Sequence, residues 1–248
     1  MNIVKQDGKK IISVLGAPHS GTTVVNNILN SMVNAFCISE PHWVINRNLK
    51  KLKFDKVGDI KFTSQNDFMK GVIEKLQNSD YDFGGVKETY RSAEPRMQRP
   101  YKNILGMSDV IIFVYRDPIA LYNSQKNIRP VRDKATNLKS IAGLIKNFNS
   151  QYNLALQYKD KAVNIVLEDL CSAGNANAIK YLNTVLAGKA VIEGKFMLHK
   201  TNFIFGNPKA NRSERLLPAN MNKSLVTPGE IKQLRKVYPK YRSLRVTL

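Results

Sequence analysis

Gly16 and Gly21 stand five residues apart in Val14-Leu15-Gly16-Ala17-Pro18-His19-Ser20-Gly21-Thr22-Thr23. That is the G-x-x-x-x-G spacing of a loop whose backbone N–H groups cradle a phosphate. The nucleotide-hydrolysing form continues with a lysine for the terminal phosphates and a hydroxyl for magnesium. Here Thr22 occupies the lysine position. The chemistry offered is therefore an anion cradle of backbone donors and the hydroxyls of Ser20, Thr22 and Thr23, without its own cation. A cation appears further on, where Arg116 ends an apolar run, Asp117-Pro118 follow and Ser124 comes eight residues after Arg116. A helix opening at Pro118 places Ser124 about two turns in, so one phosphate could touch both. A proton acceptor is offered in Ser39-Glu40-Pro41-His42-Trp43. Glu40 and His42 are both competent bases, and residues two apart in an extended segment share a face. The charged run from Lys87 through Glu88 and Arg91 to Arg99 reads either as a solvated loop or as part of a substrate groove, with Trp43 as a further candidate contact or a core residue.

These residues need elements to hold them. Lys10–Gly16, Ala35–Ser39, Asp82–Glu88, Asp109–Arg116 and Ala162–Glu168 are short apolar runs rich in β-branched residues, the pattern of buried parallel strands. Between them, 21–33, 66–79 with Asn66 or Asp67 as cap, 137–158 and 176–188 carry apolar residues at helical spacing. Thr227-Pro228-Gly229-Glu230 is a capping box with proline at the first helical position, opening a helix that stops before Pro239. Strands alternating with helices predict an α/β fold with a mostly parallel sheet covered on both faces. Ligands in such sheets bind at the carboxyl ends of the strands, which is where Gly16–Thr23, Glu40, Lys87 and Arg116 all fall.

The chain has 248 residues, 43% of them apolar and 23% charged, with no linker, repeat or low-complexity run, and is expected to form one domain over 1–248. The apolar stretch Ile11–Ala17 is too short to span a bilayer, which predicts a soluble, cytoplasmic chain. Cys37 and Cys171 have no motif spacing and are expected to be free, buried thiols. The net charge of +20 favours an anionic ligand or partner, and Lys200–Leu248 holds 11 Lys and Arg against two Glu. Charge alone does not separate a polyanionic cofactor from nucleic acid.

Pro18-His19-Ser20-Gly21-Thr22-Thr23 and Arg116-Asp117-Pro118 through Ser124, taken together, resemble the sulfotransferases that use 3′-phosphoadenosine 5′-phosphosulfate (PAPS). Ile165–Leu170, Gly206–Arg212 and the final helix are similar to later segments of that family, in the same order. The resemblance implies a P-loop-like sulfotransferase fold. It implies that residues 18–23 grip the 5′-phosphosulfate and that Arg116 and Ser124 grip the 3′-phosphate, with Lys209 and Arg212 as alternatives for a further phosphate contact. It implies PAPS as donor, 3′,5′-diphosphoadenosine (PAP) as product, no metal, and a hydroxyl acceptor such as a carbohydrate or other small molecule. It also favours Glu40 over His42 as base. His19 stands where the family carries lysine or arginine, and Lys87 is a cation that could compensate; Lys87, Glu88, Arg91 and Trp43 are candidate acceptor contacts. A P-loop nucleotide kinase and a basic nucleic-acid or polyanion binder are the rival readings. No nucleic-acid-binding signature is present in the sequence, and the sequence is silent on oligomeric state.

Overall fold

The computed structural model describes residues 8–41, 51–54, 57–61, 68–92, 95–126, 140–186 and 225–245. His42, Trp43, Asn66, Asp67, Gly188, His199, Lys209 and Arg212 lie outside them. Five parallel strands, β1 (Lys10–Gly16), β2 (Ala35–Ser39), β5 (Phe83–Thr89), β6 (Val110–Tyr115) and β7 (Ala162–Val166), form one sheet in the order β2-β5-β1-β6-β7. A separate antiparallel pair joins β3 (Lys51–Phe54) to β4 (Gly58–Lys61). The α/β class and the parallel sheet expected from the alternation are therefore present.

Each strand divides its side chains between two faces. Ile12, Val14, Ile112, Val114 and Ile165 meet Val25, Ile28 and Leu29 of α1 (Thr22–Ser31) and Leu182 of α7 (Gly174–Val185). On the other face, Ile11, Phe36, Ile38 and Val86 meet the Met69, Val72, Ile73 and Leu76 stripe of α2 (Phe68–Gln77). Leu15, Ile111, Phe113 and Val166 meet Tyr101 and Leu105 of α3 (Pro95–Met107), Phe148 of α5 (Ile141–Gln157) and the C-terminal Val237, Tyr241 and Leu244. The helix α4 (Pro118–Lys126) packs its Leu121 and Tyr122 with Ala17, Leu144 and Leu234.

The connections explain where the site must lie. From β1 the chain steps through α1 to β2 on one side; from β5 it steps through α3 past β1 to β6 on the other. The two crossovers use opposite faces, so the helices separate at the carboxyl ends of β1 and β6 and leave a crevice there.

Some of the large positive charge is structural. Lys9 Nζ donates to the carbonyls of Leu76 (2.8 Å) and Gln77 (3.1 Å) at the end of α2. Lys161 Nζ donates to those of Leu105 (2.9 Å) and Ser108 (2.8 Å) at the end of α3. Both ammoniums satisfy carbonyls that a helix C-terminus leaves open.

Three expectations are corrected. Residues 95–99, read as the end of a charged run that could be a solvated loop, open the helix α3, in which Tyr101, Ile104 and Leu105 supply an apolar stripe that the surrounding charges obscure. Glu168 is not a strand end: β7 stops at Val166, and α6 (Leu167–Ser172) begins at once. The final helix does not end before Pro239. After α8 (Pro228–Leu234) and a 3-10 turn, α9 (Tyr238–Ser243) starts with Pro239 in its first turn, where proline's missing N–H has no intrahelical partner to lose.

Candidate functional site

The cradle follows β1. Ser20 N–H donates to the Ala17 carbonyl (3.0 Å), closing a turn in which His19 has φ 70° and Gly21 φ 100°. Gly21 is the N-cap of α1 and has no side chain to cap it, so the first-turn amides of the helix gain no side-chain acceptor there. No acidic residue lies in that turn. Ser20 Oγ is buried and has no partner. The glycines are demanded by packing: a Cβ on Gly16 would lie 2.4 Å from Ser20 Oγ and 2.7 Å from the Val114 carbonyl, and one on Gly21 would lie 2.6 Å from Leu167. Gln125 Nε2 donates to the Pro18 carbonyl (3.1 Å), pinning α4 to the loop; half-buried Ser124 is the residue before it.

Arg116 leaves β6 beside this loop. Its Nη1 donates to the His19 carbonyl (3.0 Å), and its Nε lies 4.0 Å from Glu168 Oε1. Nε itself makes no hydrogen bond, nor does Glu168 Oε1. The neighbouring Asp117 does not pair with Arg116. Its Oδ1 accepts from the amides of Ile119 and Ala120 (both 2.9 Å), capping α4, and its Oδ2 accepts from the Tyr238 hydroxyl (2.5 Å). Glu168 Oε2 accepts from the Asp117 amide (3.1 Å) and the Tyr241 hydroxyl (3.0 Å). Burial raises the Glu168 carboxyl above the ordinary carboxylate range, against the lowering effect of those donors.

The second half of the site is drawn from β2 and β5. Glu40 has φ 49°, in the left-handed region, and its N–H donates to the Lys87 carbonyl (2.6 Å). Its Oε1 accepts from both Lys87 Nζ and Thr89 Oγ1, the latter at 2.6 Å. Lys87 is 1% exposed and ion-paired with Glu40. Thr89 is the register partner of Gly16 across β1 and β5. The Glu40 carboxylate is thus pulled across β5 to the strand position beside the first residue of the cradle. Two strand spacings, about 10 Å, separate β2 from β1; the reach of Glu40 and the two donors on β5 close that gap.

Alternation along β5 puts Glu88 on the face opposite Lys87 and Thr89, and it is 1% exposed. Arg91 is also buried, its N–H donating to the Tyr101 hydroxyl (3.0 Å). Cys37 and Cys171 are both free; burial pushes the Cys37 thiol up strongly and Cys171, which is half-buried, to about 11. Among the described residues no cluster of three or more His, Cys, Asp or Glu could hold a metal ion, and no helix is long and apolar enough to cross a membrane.

Sequence reasoning missed Thr89, Gln125, Tyr238 and Tyr241. Thr89 had a signal, because it lies two residues after Lys87 on one strand face. The tyrosines had only their i, i+3 spacing in a basic helix, which does not say what they touch. No protein-family model matches the chain, and no curated protein matches it significantly in sequence.

Proposed function

We propose that the chain is a PAPS-dependent sulfotransferase acting on a hydroxyl acceptor. The observation that carries this reading is the convergence, at one crevice, of a lysine-less anion cradle, an arginine hydrogen-bonded to that cradle, and a carboxylate held at Thr89 beside Gly16. The ordered resemblance of 18–23, 116–124 and 165–170 to that family adds to it.

In this reading the cradle's amides and Ser20 Oγ bind the 5′-phosphosulfate, and Arg116 binds the 3′-phosphate with Ser124. The acceptor oxygen attacks sulfur as the bond from sulfur to the 5′-phosphate oxygen breaks. PAP departs with that electron pair, and the acceptor's proton passes to Glu40. The sulfuryl group carries less charge than a phosphoryl group, so donors aimed at the leaving phosphate suffice in place of a lysine and its magnesium. Lys87, paired with Glu40, serves the base rather than the leaving group, and His19 donates to the cradle as a neutral or cationic ring.

Thermal melting tests this directly. PAP should raise Tm by several degrees, and EDTA should leave the shift intact. Stabilisation by magnesium-ATP but not by PAP would establish the kinase reading instead. Stabilisation only by oligonucleotide, with a steep salt dependence, would establish a polyanion binder.

A further inference from the structure

We infer that Tyr241 is a positioning residue for Arg116: with the Asp117 amide it engages Glu168 Oε2, keeping that carboxylate close to the guanidinium without letting it occupy the guanidinium's donors. The inference rests on the reading of the cradle as a 3′-phosphonucleotide site.

The geometry is specific. An Arg–carboxylate pair left to itself closes to about 2.7–2.9 Å, often through two parallel hydrogen bonds. Here Nε and Oε1 face each other at 4.0 Å, and neither makes a hydrogen bond. Both donors to Glu168 sit on the other oxygen, Oε2, at 3.0 and 3.1 Å. They orient the carboxylate so that it attracts Arg116 while standing about 1 Å beyond hydrogen-bond reach. Arg116 makes one hydrogen bond among the described residues, from Nη1 to the His19 carbonyl, and this aims it at the cradle. Nε is buried beside Glu168, and the side chain is 14% exposed, so the Nη groups are the ones left for an incoming phosphate.

Tyr241 is fixed for this task. Its ring is 3% exposed in the core, packs edge-on against Tyr238 at 5.7 Å, and lies under the Arg245 guanidinium at 5.9 Å. Arg245 in turn pairs with Asp169, so adjacent residues of α6 are both tied to the last turns of the chain. Burial and the Glu168 charge push the Tyr241 phenol upward, so it remains a protonated donor. Without its hydroxyl, Glu168 can turn Oε1 onto Arg116 and compete with the ligand.

The full chain is titrated with PAP and with 5′-AMP by calorimetry, in the wild type and four variants. Tyr241→Phe should weaken PAP about 5- to 10-fold and 5′-AMP less than 2-fold. Tyr241→Phe combined with Glu168→Gln should regain the PAP affinity of Glu168→Gln alone, because a neutral amide cannot compete as an ion partner. Tyr238→Phe, which removes a hydroxyl from Asp117 in the same helix, controls for loosened packing and should leave the PAP to AMP ratio unchanged. The inference is overturned if Tyr241→Phe binds PAP like the wild type, if it weakens both nucleotides equally, or if the double variant is as weak as Tyr241→Phe. A wild type that does not bind PAP overturns the functional reading and this inference together, whereas binding by the wild type with no effect of Tyr241→Phe overturns this inference alone.

Discussion

The two halves of the crevice are built on opposite electrostatic plans. On the β1–β6 side, polar groups are left open: the first turn of α1 is uncapped by any side chain, Ser20 Oγ has no partner, and Arg116 Nε and Glu168 Oε1 make no hydrogen bond. Buried polar groups without partners are costly, so that side has hydrogen-bonding capacity left for a ligand. On the β2–β5 side the groups answer one another. Lys87, Thr89 and Glu40 converge on one carboxylate oxygen, and a non-glycine residue holds a left-handed φ to allow it. A buried pair of this kind contributes little net stability over an apolar substitute, and the backbone conformation costs on the order of 1–2 kcal/mol. The contrast separates a side whose polar groups are left open from one whose polar groups are already paired with each other.

The comparison breaks most visibly at Glu40. Glu40→Gln should lower the sulfuryl-transfer rate by about two to four orders of magnitude while PAP still binds; His42→Asn should cost far less. A near-normal rate for Glu40→Gln with an inactive His42→Asn variant would move the base to His42. Next is the pairing itself. Lys87→Met strands the Glu40 carboxylate, which is 14% exposed, and should cost about 3 kcal/mol in urea unfolding, at the lower end for a broken buried pair. The Lys87→Met/Glu40→Gln double variant should recover most of that loss. If Lys87→Met costs under about 1 kcal/mol, against that expectation, then the β2–β5 side is no more self-complementary than the other.

Arg116 is the matching test on the binding side. Arg116→Ala should weaken PAP by about 1.5–3 kcal/mol, with 5′-AMP hardly changed, as for one charge-assisted contact. Equal losses for both would mean that Arg116 acts on the loop through the His19 carbonyl. The smallest effect is in pH dependence, where two glutamates have opposite signs. Glu230, on the surface, is lowered to about 2, first by Lys126 and then by the Thr227 amide. Its contribution is complete above its unfolded value of about 4.3 and is lost as pH falls through about 2. Glu168 is raised by burial, so folding holds its proton more tightly and stability declines as pH rises from the ordinary carboxylate value through the raised one. Melting curves from pH 2 to 7 should flatten at the acid end in Glu230→Gln and lose the decline in Glu168→Gln.

The strands were legible because β1 and β6 are buried apolar runs bounded by turn residues, and a buried strand has few other ways to be written. The cradle was legible from Gly16 and Gly21, whose added Cβ atoms would collide with Ser20, Val114 and Leu167. The helix α3 was hidden because Arg96, Arg99 and Lys102 interrupt its apolar stripe, so its pattern reads as polar until Tyr101 and Leu105 find the sheet. The burial of Lys87 was hidden for a related reason. Lysines are almost always at the surface, and nothing local says that the partner of this one lies 47 residues back, just past the end of β2, three strands earlier in sequence order.

By itself the sequence determined the five strands of the parallel sheet, their alternation with helices and the residue types at the strand ends, because these depend on periodicity, capping and backbone freedom within a few residues. Only the tertiary structure decided which strand ends meet. It put β5 between β2 and β1, so that Thr89 faces Gly16 and draws Glu40 to the cradle. It brought α9 back onto α6, so that Tyr241 holds Glu168 and Asp117 is left to cap α4 instead of pairing with Arg116. The Glu40–Thr89 and Tyr241–Glu168 contacts span 49 and 73 residues, and a hydrogen bond between distant side chains has no periodic trace in the chain; it exists only after the sheet order has been chosen by burial of the whole core.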